Sequence, residues 1–476
     1  MPIPPDTLQK LAAIVGDSAL LTDPVQLLGY ENDGLGFHRH SPDAVVLPRN
    51  SEDVRKVIEL MSTEEVPYLV RGAGTSLSGG PTPLAGGLVI HVSRLNQILE
   101  VNRDDLYCVV EPGVVLNELN THLKESGLFY PPDPSSGSAC TIGGNVAENA
   151  GGLRCFKYGV TANYVLGIEA ILTTGEIVRF GGPAGGLGDS GGVDWRSLMI
   201  GSEGLLAAFT RIWLRVKPLN EKVWTFLACY REVEDATRAI YELTTGCHTP
   251  VALEFLDHKI VALVENSPMA VGLEKDCCVV LTEIDGPAEL VDQQVDYITN
   301  ILSRNGAARV DRTDSDDDRG KLWQARKSGG GLVGQVSPDN MTQDAVIPRH
   351  QLQSTLDMLY RESEARGIEL YNVFHAGDGN LHPLFLFDRR DAGSYEKVQE
   401  LGTILMEHVA SLGGTLSGEH GIGCDKSKYI PLIMPPQIID LHKGMLDIFN
   451  PDNQLNPEKV IPNRSYVGCC VPEVTS

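Results

Sequence analysis

Two glycine-rich stretches, each placed among short apolar strands, limit what the first half of this chain can fold into. Val66-Pro67-Tyr68-Leu69-Val70 reads as a strand and runs into Arg71-Gly72-Ala73-Gly74-Thr75-Ser76-Leu77-Ser78-Gly79-Gly80, and the second stretch extends from Pro131 to Gly152. Glycine permits positive φ and lets a ligand approach the main chain closely. Consecutive glycine and hydroxyl residues also let N–H groups converge on an anion, as phosphate-binding nests do. Leu77 stands where the third glycine of a GxGxxG fingerprint would fall, so the first loop alone matches that pattern poorly. Two such loops imply one large ligand rather than two ordinary turns.

The surrounding pattern divides the chain. From Asp43 to Pro218, further strands are predicted at Gly87–Val92, Tyr107–Gly113 and Val165–Leu172, with helices at Ser51–Met61, capped by Ser51, and at Val115–Ser126. Beyond Pro218 the predicted order is strand Val223–Tyr230, helix Glu232–Thr245, strands Val251–Asp257 and Cys277–Asp285, and helix Glu289–Arg304. That alternation suits an antiparallel sheet covered on one face. A length of 476 residues exceeds what one hydrophobic core usually supports, so two or more domains are expected. The acidic run Asp311–Asp318 lacks the Gly and closing Glu of a calcium loop and reads as a solvated helix entrance.

Charge narrows the function. With 63 acidic and 39 basic residues the formal charge is −24, which repels nucleic acid and anionic membranes. An anionic substrate then needs a locally basic pocket. The ten cysteines form no CxxC pair and no iron–sulfur motif, so reduced thiols are expected. Met1-Pro2-Ile3-Pro4-Pro5-Asp6 carries no basic segment followed by an apolar run. A cytoplasmic location is expected, with membrane association only through a partner.

Chemistry concentrates near the C-terminal third. In His375-Ala376-Gly377-Asp378-Gly379-Asn380-Leu381-His382, the Asp-Gly pair predicts a two-residue type I′ turn that sets His375 opposite His382. Opposed residues share a face with Cβ atoms roughly 5 Å apart, close enough for two imidazoles to grip one ion. Ser417-Gly418-Glu419-His420-Gly421 offers Glu419 as a third ligand. Two histidines and one carboxylate leave coordination positions open, and Zn²⁺, Mn²⁺ or Fe²⁺ would fit. The plainer alternative is a solvated hairpin whose histidines merely pack.

Taken with Gly201-Ser202-Glu203-Gly204 and the tail Phe449–Lys459, the two loops resemble the FAD-binding dehydrogenases of the vanillyl-alcohol oxidase type, in their D-2-hydroxyacid branch. The resemblance runs from Asp43 to Pro462 and implies an α+β fold. Its parts would be a two-subdomain FAD-binding PCMH-type domain (1–218), an antiparallel-sheet substrate or cap domain with the metal hairpin (219–418), and a C-terminal helical segment returning to the FAD domain (419–476). It implies that Arg71, Gly72, Gly74, Thr75, Ser76 and Gly79 hold the FAD pyrophosphate. Pro132, Asp133, Ser136, Gly143, Gly144, Asn145, Asn149, Gly151 and Gly152 would line the flavin and ribityl chain. Glu203 and Gly204 would lie along the adenine half, with Asn456 near the isoalloxazine. No histidine occurs in Ser78-Gly79-Gly80, so the FAD is expected to be non-covalent. The same resemblance makes His375, His382 and Glu419 the ligands of a divalent metal, His420 the catalytic base, and Arg326 the partner of the substrate carboxylate.

The implied activity is FAD-dependent oxidation of a small 2-hydroxy acid to its 2-oxo acid, with glycolate the first choice and D-lactate the second. Relatives acting on D-2-hydroxyglutarate carry a polar Asn two residues after the second metal histidine, where this chain has Leu384. Implied partners are the substrate and an electron acceptor, either a quinone or an iron–sulfur subunit, as in glycolate oxidase complexes of separate FAD and iron–sulfur subunits. Two rival readings are a flavin-free non-haem iron oxygenase and a non-catalytic flavoprotein subunit of an electron-transfer complex.

Overall fold

The computed structural model describes residues 2–183 and 192–462, so Cys469 and Cys470 lie outside the described residues. The chain divides into two compact units. The first comprises Met1–Ala150, Val160–Leu219 and Glu419–Ser476, and the second Gly151–Gly159 and Asn220–Gly418.

In the first unit, the predicted strands at Leu88–His91 and Tyr68–Arg71 join two further ones in a four-stranded sheet ordered Leu20–Leu21, Ala44–Val46, Leu88–His91, Tyr68–Arg71, the last three parallel. Helix Ser51–Thr63 presents Val54, Val57, Ile58 and Met61 to a core shared with Leu11, Val46, Tyr68 and Ile90. Its cap is Asn50, one residue earlier than predicted, whose Oδ1 accepts the Asp53 N–H at 2.9 Å. A second, antiparallel sheet runs Ile98–Asn102, Tyr107–Val110, Ala208–Arg215, Val165–Ile171, Ile177–Gly181. The tail joins the first sheet beside the glycine loop: Tyr68 N–H donates to Gln454 O at 2.9 Å and Asn456 N–H to Tyr68 O at 2.7 Å.

In the second unit, strands Arg309–Thr313, Lys222–Tyr230, Cys278–Gly286, Ala252–Leu256 and Glu369–His375 are successive antiparallel neighbours. Both faces are covered, which corrects the one-faced expectation. Val279 and Leu281 pack with Ile260 and Ala325, while the alternate residues Val280 and Thr282 are buried as well. The cause is visible in the sequence, where Cys277 to Leu281 is an unbroken apolar run of the kind that two covered faces require. Of the acidic run, Asp311 to Thr313 complete a strand, and Ser315 caps helix Asp316–Leu332 by accepting the Asp318 N–H. Three aspartates in that first turn complement the helix dipole.

Gly151–Gly159 belongs to the second unit for a physical reason. Lys157 Nζ donates to Asp285 O at 2.6 Å, and Tyr158 OH donates to Asp285 Oδ2 at 2.8 Å. Phe156 fills the space beside Gly377, where a Cβ would collide with its ring. No helix among the described residues is long and apolar enough to cross a membrane.

Candidate active site

The histidine hairpin forms, but with a different register from the one Asp-Gly predicts. His375 pairs with Asn380 and Asn372 with Pro383, which makes a four-residue loop of Ala376–Gly379. Gly377 N–H donates to Leu253 O of the neighbouring strand at 3.1 Å, so it is not free to pair with Asn380 as a two-residue turn requires. Gly379 sits at φ 78°, and its carbonyl accepts Ile347 N–H at 3.1 Å. The slip moves each histidine by one position on its own strand, so both stay on one face. They become diagonal neighbours with ring centroids 5.1 Å apart, edge to face.

Glu254 stands directly across from His375 on the adjacent strand, and its Oε1 lies 2.8 Å from His375 Nδ1. A proton on Nδ1 satisfies that carboxylate and leaves the ring's lone pair on Nε2, the arrangement that carboxylate–histidine–metal sites use. The donor set therefore fits a divalent ion. Arg326 is buried rather than on a surface helix face, and its Nε donates to Glu254 Oε2 at 2.7 Å. Asp344, also buried, takes the Ser417 hydroxyl at 2.6 Å and the Gly418 N–H at 3.1 Å, with its Oδ1 3.9 Å from His382 Nδ1. Glu419 and His420 follow Gly418 in sequence and are grouped with the first unit, where Glu419 Oε1 and His420 Nε2 are 3.8 Å apart.

The face around the histidine pair is otherwise apolar. Tyr371, Val373, Leu384 and Leu386 pack with Ile260, Val261 and Ala325 in one cluster. Leu384 is therefore a packed residue that occupies space and offers no polar atom.

In the first unit, the first glycine loop carries the donors expected of it. Among the described residues, the N–H groups of Ala73, Gly74, Thr75, Ser76 and Leu77 have no protein acceptor. Such a row fits a pyrophosphate. Arg71 supports the loop from behind, with Nη1 donating to Pro81 O at 2.9 Å and Nη2 to Asn32 O at 2.8 Å. Gly79 N–H is engaged by Asp33 Oδ2 at 2.7 Å. Gly72 packs on Thr141, where a Cβ would overlap the hydroxyl, so the two glycine stretches meet there.

The second stretch is built differently. Gly143 N–H donates to Pro112 O at 2.8 Å, Gly144 N–H to Thr141 Oγ1 at 3.3 Å and Asn145 N–H to Thr141 O at 2.9 Å. These three amides are engaged within the protein. Pro132 is buried and Asp133 half-buried, and Ser136 accepts the Ala139 and Cys140 N–H groups at 2.8 Å in a turn. Asn149, at φ 53°, ends helix Ile142–Glu148 and accepts Ala162 N–H at 2.9 Å. Gly151 and Gly152 fall in the second unit. Gly204 holds φ 70° beside Glu203, and Asn456 Nδ2 donates to Glu203 O at 2.9 Å and Gly80 O at 3.3 Å.

Residues that pattern reading missed surround this loop. Burial first, then the charges of Glu203 and Asp33, push the Glu148 carboxyl well above its usual range. Lys459 is driven down by burial and donates to Gly79 O at 2.8 Å and Thr82 O at 2.7 Å. Asp425 beside His38 raises that imidazole to about 10. Glu254 had one sequence signal, a single carboxylate inside the apolar strand Ala252-Leu253-Glu254-Phe255-Leu256, which burial there obliges to find partners.

An FAD binding domain is matched over residues 42–181, and the C-terminal domain of FAD linked oxidases over residues 219–460. The glycolate oxidase subunit GlcD of Bacillus subtilis (strain 168) is 34% identical over 456 residues, covering 96% of each chain. The D-lactate dehydrogenase of Anaerostipes hadrus is 29% identical over 472 residues, covering 96% of this chain and 98% of that one. The crystal structure of p-cresol methylhydroxylase superposes with a TM-score of 0.79 at 17% identity, covering 96% of both chains, which establishes a PCMH-type α+β fold. The chain belongs to the FAD-linked oxidases, with an FAD-binding domain in residues 42–181.

Proposed function

We propose that this protein oxidises a small 2-hydroxy acid, glycolate before D-lactate, to the corresponding 2-oxo acid. The observation that carries the reading is the row Glu254, His375, His382 set in an apolar face where Leu384 and Leu386 are packed. Such a site can hold a metal and a compact substrate, and the packed Leu384 and Leu386 offer no charged group to a second carboxylate. The names of the relatives, a glycolate oxidase subunit and a D-lactate dehydrogenase, support the same substrate class.

His375, His382 and Glu419 would hold a divalent Zn, Mn or Fe ion, which when bound makes a coordinated hydroxyl more acidic. Gly418 is fixed on Asp344, and one residue spans at most about 3.6 Å, so chain connectivity favours Glu419 for this role. Arg326 keeps Nη1 outside its pair with Glu254 and receives the substrate carboxylate. The His420 imidazole accepts the hydroxyl proton, the role that histidine fills most often in general acid–base catalysis. The Gly72–Gly79 loop would hold FAD non-covalently, and the cofactor would supply the acceptor for the hydride leaving the α carbon. An external acceptor, a quinone or an iron–sulfur partner, would then take the electrons. The subunit naming of the Bacillus relative supports a multi-subunit assembly.

An anaerobic substrate panel that follows flavin bleaching, with and without a chelator, tests the reading. Glycolate should bleach fastest and the chelator should abolish bleaching. Much faster turnover of D-2-hydroxyglutarate would overturn the substrate assignment, and a colourless active preparation would favour the iron oxygenase.

A further inference from the structure

Sequence resemblance points to Glu203 as a neighbour of the cofactor, yet its carboxylate is committed elsewhere. Oε1 accepts the Ile422 N–H and Oε2 the Gly423 N–H, both at 2.7 Å, and the residue is buried. These amides begin two positions after His420. The loop between them needs restraint, because Gly421 and Gly423 adopt φ of 83° and 51° and glycine has many alternatives open to it.

The remainder of the loop is tied to the FAD-binding segment. Cys424 and Asp425 N–H groups both donate to Ser78 O at 3.1 Å, and Val460 N–H donates to Gly423 O at 2.8 Å. Glu203 is itself held, at φ 50°, by its N–H to Ala147 O at 2.8 Å and by Asn456 Nδ2 on its carbonyl at 2.9 Å. A non-glycine residue in the left-handed region persists only where its surroundings fix it. Gly421 also has no room for a side chain, since a Cβ there would press on the carboxyls of Glu148 and Glu203.

We propose that Glu203 is a positioning residue that fixes the loop carrying His420, and that it is not a ligand of the cofactor. A carboxylate accepting two amides forms charge-assisted bonds, stronger than those a neutral acceptor would make. It holds the residues directly after His420 to the same body that bears the Gly72–Gly79 cradle. The proposal rests on the reading of His420 as proton acceptor. A base misplaced by about 1 Å loses on the order of 100-fold in rate, so the clamp governs turnover while leaving binding intact.

The test uses the holoenzyme as wild type, Glu203→Ala, Glu203→Gln and His420→Ala. FAD per chain is read from absorbance, kcat and KM from glycolate oxidation, and exchange of the Ile422 and Gly423 amides from hydrogen–deuterium exchange. Glu203→Ala should keep its FAD, lose on the order of 100-fold in kcat with KM within about threefold, and exchange both amides rapidly. Glu203→Gln retains one acceptor oxygen in the same volume, so its kcat should lie between those of wild type and Glu203→Ala; it also serves if the alanine variant does not fold. Loss of FAD with unchanged kcat per remaining flavin would overturn the proposal, as would unchanged exchange at both amides. If His420→Ala keeps full turnover, the base assignment fails, while the exchange result still decides whether Glu203 orders the loop.

Discussion

Glu254 Oε1 lies 2.8 Å from Nδ1 of His375, and the two residues face each other across neighbouring antiparallel strands. The carboxylate fixes the ring's orientation and raises the basicity of its other nitrogen. Glu254→Gln should therefore weaken divalent-ion binding by about 10- to 100-fold with the histidines untouched. Competition with a chromogenic chelator measures this, and an unchanged affinity would remove Glu254 from the metal site.

The same carboxylate balances a buried guanidinium. Removing Arg326 leaves Glu254 charged and without that partner in a site where both are buried, a change that costs about 3–5 kcal/mol. Arg326→Met should lower stability by that order, and the double variant Arg326→Met, Glu254→Gln should recover part of it. Denaturant unfolding of the two variants checks the coupling. Strict additivity would show that the pair is not interacting.

Much of this site could be read in the sequence, and the exceptions are instructive. The two histidines, the Gly-Glu-His segment and the first glycine loop are local signals, and the structure sets His375 and His382 on one face. Register was not local. Asp378-Gly379 favours a two-residue turn, but the Gly377 N–H is committed to Leu253 and the Gly379 carbonyl to Ile347, so the hairpin ladder ends at His375 and the loop is wider. Face assignment survived because the slip preserved parity. Glu203 and Arg71 illustrate the converse: a motif marks a residue as needed without saying which way its side chain points. Their partners, Ile422, Gly423, Asn32 and Pro81, are distant in sequence or carry no side-chain signal. Cover on both sheet faces was missed because the apolar run Cys277 to Leu281 has no alternation to read.

Leu384 pairs with Tyr371 across the hairpin and packs in the apolar cluster. Leu384→Asn would bury an amide with no designed partner, costing about 1–3 kcal/mol. It should reduce thermal stability without creating turnover of D-2-hydroxyglutarate. A variant gaining that activity would show that this position faces the substrate.

His38 gives the first unit a pH signature. Its imidazole, held by Asp425, is raised from 6.5 to about 10, so the folded state keeps a proton that the unfolded chain releases. This contribution is complete below about 6.5, declines as pH rises, and is lost above about 10. His38→Gln should lower Tm by about 2 °C near neutrality, a modest figure because the ring is partly exposed to solvent. Scanning calorimetry across that range should find the gap closing on the alkaline side, and a gap that widens instead would refute the ion pair.

The division of the chain has a consequence for synthesis. Ribosomes release the second unit, Gly151–Gly159 and Asn220–Gly418, before any residue of the third segment of the first. Until Glu419 onward has emerged, Ser78 O has no Cys424 or Asp425 amide to accept, Tyr68 has no tail strand, and Glu203 has no loop to clamp. A nascent chain stalled at Gly418 can thus complete its later-encoded sheet while its amino-terminal part remains unfinished. Completion of the first unit therefore waits on the segment that begins at Glu419.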